Sequence, residues 1–175
     1  MLSLQAEAQR PNTRKGFWLS FAFGVGSHSQ GAASADEGRQ TDPVGNLRLG
    51  GTVSQKVLLG GDASVWPQLG NGDSISVGFV GPTILFYPSA TGSFYVKGSI
   101  SFTAFSNAEK DISSSLGPAL SVEVGNDFRV ARNFSLVVFL NAIAATDVEL
   151  RVNGNPTGID VTPNLVQVGL GVGWH

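Results

Sequence analysis

Apolar side chains recur at every second position through most of this 175-residue chain, and nowhere do they form an unbroken run of about 18 or more residues. A period of two is the repeat of a β-strand with unlike faces, so a helical bundle and a helical membrane span are both excluded as the main architecture. From Phe94 to Ala104, Phe94, Val96, Gly98, Ile100, Phe102 and Ala104 share one face, and Tyr95, Lys97, Ser99, Ser101 and Thr103 share the other. Near the start, Phe17, Leu19, Phe21, Phe23 and Val25 alternate with Trp18, Ser20, Ala22, Gly24 and Gly26. The end of the chain does the same, with Val166, Val168, Leu170, Val172 and Trp174 set against Gln167, Gly169, Gly171, Gly173 and His175.

Eight such segments are predicted: 16–26, 44–53, 57–66, 75–87, 93–105, 117–130, 134–145 and 164 to the end. Pro82 interrupts the fourth and predicts an edge or a bulge there. The connections alternate in length. Tight turns are predicted at Ser54-Gln55-Lys56 and Ala131-Arg132-Asn133 and a short one at 88–92, while 27–43, 67–74, 106–115 and 146–163 are longer, the last with turn signals at Asn153-Gly154 and Asn155-Pro156. Short and long connections thus fall at opposite ends of the strands, as in barrels with short periplasmic turns and long outer loops. The expected fold is an all-β, eight-stranded antiparallel up-and-down transmembrane β-barrel.

Charged residues make up only 14% of the chain against about 25% in soluble domains, so part of the surface is expected to meet something other than water. Alternation alone does not say which face is outside. A soluble eight-stranded binder of lipocalin type is apolar within; a membrane barrel is inverted. Residue size favours the inverted arrangement, because the polar faces carry Gly24, Gly26, Gly50, Gly60, Ser99, Ser101, Gly169 and Gly171, which suit a narrow lumen, and the apolar faces carry rows of Phe and Leu. Centring the turn on Gln55 sets Arg48 opposite Asp62, and centring the 106–115 connection near Lys110 brings Lys97 to Glu123. Two cations and two anions cancel, and an internal polar network of Arg48, Asp62, Lys97 and Glu123 is predicted, with Tyr95, Gln167 and Asn141 nearby. Aromatic residues at strand ends, among them Phe17, Trp18, Tyr87, Phe94, Phe128 and Trp174, are predicted to mark the membrane–water interfaces.

The Gly16-Phe17-Trp18-Leu19 opening, the FYP…GSFYVKGS hairpin at 86–99, the stretch VGNDFRVARNFSL at 124–136 and the ending NLVQVGLGVGWH at 164–175 resemble the small outer-membrane β-barrel proteins, the group of the OmpA transmembrane domain, OmpX and OmpW. The resemblance runs from Lys15 to His175. It implies residence in a bacterial outer membrane, contact with outer-membrane lipid including lipopolysaccharide, and insertion by the barrel-assembly machinery, which reads an aromatic final residue; here the aromatic is Trp174 and His175 follows it. Ala6-x-Ala8 has the spacing of a signal-peptide cleavage site, so residues 1–14 read as a signal-peptide remnant and flexible tail, with the barrel over 15–175.

Nothing in the sequence points to catalysis, a cofactor or a metal. Cys is absent, and the two histidines, His28 in the first long connection and His175 at the chain end, are expected at opposite rims. His28 lies between Ser27 and Ser29, but adjacency is not a triad. Gly24-x-Gly26 and Gly169-x-Gly171-x-Gly173 lack the following helix of a phosphate loop. A net charge of −2 without a basic run argues against nucleic acid. The expected function is a structural or surface-interaction barrel with a packed polar lumen, whose outer loops meet a protein partner, lipopolysaccharide or a surface; the alternative is a transporter or narrow channel for small solutes across the outer membrane.

Overall fold

The computed structural model describes residues 14–30, 40–70, 73–107 and 112–175. Its strands are β1 (Phe17–Gln30), β2 (Gln40–Ser54), β3 (Val57–Gly70), β4 (Asp73–Phe86), β5 (Phe94–Asn107), β6 (Ile112–Ser114), β7 (Gly117–Ala131), β8 (Phe134–Ala145), β9 (Val148–Val152), β10 (Asn155–Val161) and β11 (Pro163–Trp174). Eight of them, β1, β2, β3, β4, β5, β7, β8 and β11, pair antiparallel with their neighbours in chain order, and β11 returns to β1. The sheet is thus a closed up-and-down barrel. Closure is what a lipid environment demands, since an open sheet edge would leave backbone N–H and C=O groups without partners.

The inverted polarity follows the alternation. Phe21, Ile100 and Leu170 are 48%, 63% and 66% exposed on the outer wall, within a belt that also holds Phe23, Leu49, Leu140 and Val168. Even-numbered residues of β1–β3 and odd-numbered residues of β4, β5, β7, β8 and β11 point inward. Two facing glycine pairs, Gly50 with Gly60 and Gly24 with Gly169, lie on the inner face. A side chain on Gly50 would strike the Leu59 carbonyl, and one on Gly24 the Val168 carbonyl, so the strands coil this closely only where both residues lack a Cβ.

Most wall strands run 14–15 residues, longer than the 9–11 that cross a bilayer, so their ends project beyond it. Here the structure corrects the sequence reading. Residues 27–30 and 40–43, expected in a loop, continue β1 and β2. The 106–115 and 146–163 connections contribute β6 and the β9–β10 hairpin, which extend from the end of β5 as a small outer sheet. The hairpin turns at Asn153-Gly154, both at positive φ (51° and 78°), the geometry for which this dipeptide is suited.

Pro82 marks neither an edge nor a bulge. Register between β4 and β5 is the same on both sides of it, Val80↔Phe102 and Thr83↔Ser99, and the ladder skips only Gly81 and Pro82. The ring points outward, where the missing N–H is the sole penalty, and bare Gly81 lets the Ile100 carbonyl approach.

The lumen is not uniformly polar, as the abundance of small inward residues had suggested. Its long-loop half is filled by Val44, Trp66, Val77, Phe79, Phe105, Ile143 and Leu165, capped by Val148 and Val161 at the base of the outer hairpin. Buried polar residues run from the short-turn rim through the waist to Asn46, Ser64 and Gln167, and Thr103 and Asn107 stand within the apolar half.

Ile100 sits near the middle of the exposed belt. Ile100→Arg is expected to lower folding stability in lipid vesicles by about 2–4 kcal/mol, the cost of a cation on the lipid face near the midplane; a urea titration of the refolded chain measures it.

Candidate functional site: the charged waist and the closed short-turn rim

The four charges that alternation placed inward meet at the waist. Strand register sets Arg48 directly opposite Asp62 on β2 and β3, and Lys97 directly opposite Glu123 on β5 and β7. Long side chains then cross the lumen, so the pairing is also diagonal. Arg48 Nη2 donates to Glu123 Oε2 at 2.6 Å, and its Nε lies 3.6 Å from Asp62 Oδ1. Lys97 Nζ binds Asp62 Oδ2 and lies 3.1 Å from Glu123 Oε2. All four are buried. Each cation faces both anions, which is how a waist this dry holds four charges.

Neighbours complete the hydrogen bonding. The Tyr95 hydroxyl donates to Glu123 Oε1 at 2.7 Å. Ser99 Oγ lies 2.8 Å from Thr83 Oγ1 and 3.4 Å from Asp62 Oδ2. The Arg48 guanidinium stacks over the Phe139 ring at 4.9 Å. Two glycines make room: a Cβ at Gly125 would fall on the Tyr95 ring, and one at Gly169 on that of Phe139. One layer outward, Ser64 donates to Asn46 Oδ1 at 2.6 Å and Gln167 Nε2 donates to the same oxygen at 3.3 Å. Gln167 thus belongs to a second polar layer. Asn141 is buried between Glu123 and Gln167 on neighbouring strands, but its amide makes no hydrogen bond among the described residues.

The short-turn rim is closed by Arg14 and by a cluster of Tyr87, Asp127 and His175, of which His175 was expected here. Arg14, expected in the flexible tail, is fully buried; the other tail residues, 1–13, lie outside the described ones. Its guanidinium donates to the carbonyls of Gln55 (3.3 Å), Ala90 (3.3 Å) and Gly92 (2.6 Å) and stacks 3.3 Å from the centre of the Tyr87 ring. Gln55 returns two hydrogen bonds to the Arg14 backbone, accepting at Oε1 and donating from Nε2. One residue thereby ties two turns together. Beside it, Tyr87 donates to Asp127 Oδ2 at 3.1 Å, and His175 Nε2 is 2.9 Å from the same oxygen. Burial first, and the Asp127 carboxylate second, push the Tyr87 phenol well above its ordinary value, so it keeps the proton it donates.

Of the interface aromatics, Phe17, Phe94, Phe128 and Trp174 lie on the outer wall. Trp18 and Tyr87 do not: they are 2% and 1% exposed and point inward. The reason is parity. Trp18 shares a face with Ser20 and Ala22, and Tyr87 continues the face of Thr83 and Leu85. His28 falls in the outer part of β1, paired with Leu165, rather than in a loop, and His175 is at the opposite rim.

The chain is similar to Neisserial surface protein A (TM-score 0.70, 13% identity, covering 93% of this chain and 99% of that one). It is also similar to Ail, the attachment invasion locus protein of Yersinia pestis (0.55, 11%, 91% and 99%), and to the outer membrane protein OprG of Pseudomonas aeruginosa (0.53, 12%, 94% and 98%). No family model and no curated protein sequence matches the chain. At these identities the likeness is one of fold: the chain has the architecture of the small integral barrels of Gram-negative outer membranes.

Glu123→Ala strands two cations against Asp62 alone and is expected to cost about 3–5 kcal/mol. The double variant Lys97→Met with Glu123→Leu leaves the facing Arg48–Asp62 pair and is expected to recover most of that loss. Urea midpoints of the two refolded variants test the difference.

Proposed function

We propose that this chain is a closed, non-conducting outer-membrane anchor that carries the β6–β9–β10 sheet to the cell surface as an interaction element. The observation that carries this reading is the filling of the lumen from rim to rim. Arg14 and the Tyr87–Asp127–His175 cluster close the short-turn end, the four charges cross the waist, and an apolar layer fills the outer half. A solute path would need all three displaced.

The outer sheet is where a partner would meet the protein. Residues 155–160 of β10 are exposed, and β10 pairs only with β9 among the described residues. Pro156, the register shift between Pro156 and Asp160, and Gly158 at a φ of 69° break that edge, so recognition would use side chains rather than strand addition. The hairpin and its stem carry Asp147, Glu149 and Asp160 against Arg151. Ail has been seen with a heparin analogue, but an acidic hairpin favours a neutral or basic protein surface over a polyanion. Lipopolysaccharide phosphates would approach it through divalent cations, and assembly would use the β11 end with outward Trp174.

Two outcomes test the proposal. Wild-type chain in planar bilayers is expected to be electrically silent, and Arg48→Ala with Asp62→Ala to remain silent because the apolar outer layer is untouched; steps of conductance in that double variant would support a latent channel instead. Removing residues 150–159 is expected to leave a heat-modifiable barrel while abolishing the adhesion of displaying cells to protein-coated surfaces, and undiminished adhesion would refute the role given to the hairpin.

A further inference from the structure

Between the waist and the short-turn rim lies a chamber of about 20 Å³, bounded by Trp18, Ser20, Arg48, Tyr87, Asp127 and His175, among others. Besides Arg48 Nε, which lies 3.6 Å from Asp62 Oδ1, three of these residues have a buried polar atom with no hydrogen-bond partner among the described residues: Trp18 Nε1, Ser20 Oγ and His175 Nδ1. A buried polar atom without a partner is costly, and three around one small space are not accounted for by packing. We propose that this chamber binds a single water molecule, which joins the His175–Asp127 contact to the charged waist.

Size and chemistry select the ligand. One water needs about 10–15 Å³ of such space and two to four polar partners. The chamber meets the first requirement with little to spare, which excludes an oxyanion, and the Asp127 carboxylate at its edge disfavours any anion. The donor and acceptor roles are complementary. Trp18 Nε1 can only donate. In the tautomer whose Nε2–H donates to Asp127 Oδ2, His175 Nδ1 accepts, and Ser20 can take either role. A water accepting from Trp18 and donating to His175 and Ser20 satisfies all three atoms. It would stand next to Arg48, whose guanidinium already binds Glu123 and lies near Asp62. On the other side of the waist stand the polar layer of Asn46, Ser64 and Gln167 and, beyond it, the apolar layer of Trp66, Phe79, Phe105 and Leu165.

The chain contains three tryptophans, one in the chamber, one in the apolar layer and one on the outer wall. Indole ¹⁵N spectra of the full chain in lipid nanodiscs, assigned by Trp→Phe variants, test the site directly. The Trp18 indole N–H is expected to show a cross-peak to a bound water. Ser20→Val removes one partner and fills the space, so the Trp18 cross-peak is expected to disappear with the amide spectrum otherwise retained; Ser20→Ala leaves the space and is expected to keep it. Absence of the cross-peak at Trp18 in the wild-type chain would overturn the proposal, and that observation decides the matter even if Ser20→Val fails to fold.

Discussion

Every feature of this protein depends on the closure of one hydrogen-bonded ladder, from β1 around to β11 and back. In lipid no backbone group can turn to water, so the wall must close on itself, and once it closes each strand has one face for lipid and one for a narrow interior. The outer face is answered by Phe, Leu, Ile and Val. The inner face has the harder problem, because eight strands enclose too little room for water to solvate what lies there. The glycine pairs relieve crowding where the strands coil together, and the remaining positions must fill the space and satisfy one another.

The waist shows how that is done with charge. Two facing pairs set by register become a four-membered cluster because Arg and Lys are long enough to reach the anion on the opposite wall. The stem of each cation fills volume while its head is neutralised, which a pair of short polar residues would not achieve. The apolar outer layer and the Arg14 plug complete a lumen with three different chemistries in series: hydrogen-bonded and cationic at the periplasmic rim, ionic at the waist, greasy beneath the outer hairpin. The outer sheet stands on the greasy layer through Val148 and Val161, so the element offered to a partner is anchored in the core rather than hung from a loop.

Much of this was legible in the sequence, because a period of two fixes both strand and face. Register followed from the turns: centring one on Gln55 placed Arg48 against Asp62, and centring the 106–115 connection near Lys110 placed Lys97 against Glu123. Where the reading went astray, a general tendency had been set above parity. Trp18 and Tyr87 were assigned to the membrane interface as strand-end aromatics, although each shares a face with inward residues. Asp127 and Phe105 sit on the same faces as Glu123 and Lys97, so the rim cluster and the apolar layer had a signal in the alternation that went unused. Arg14 had none. It precedes the first strand, and its partners are carbonyls at Gln55, Ala90 and Gly92, which only the folded turns bring together. The outer hairpin announced its turn at Asn153-Gly154, but pairing of β9 with the three-residue β6 depends on tertiary context that short segments do not encode.

The central claim is that this wall is built for lipid, and the requirement for lipid measures it most directly. Denatured chain diluted into buffer, into detergent micelles and into lipid vesicles can be followed by circular dichroism and by its gel mobility before and after boiling. The account predicts β-sheet and a heat-dependent mobility shift in micelles and vesicles, and aggregation in buffer alone. A folded, soluble monomer in buffer without detergent would contradict it.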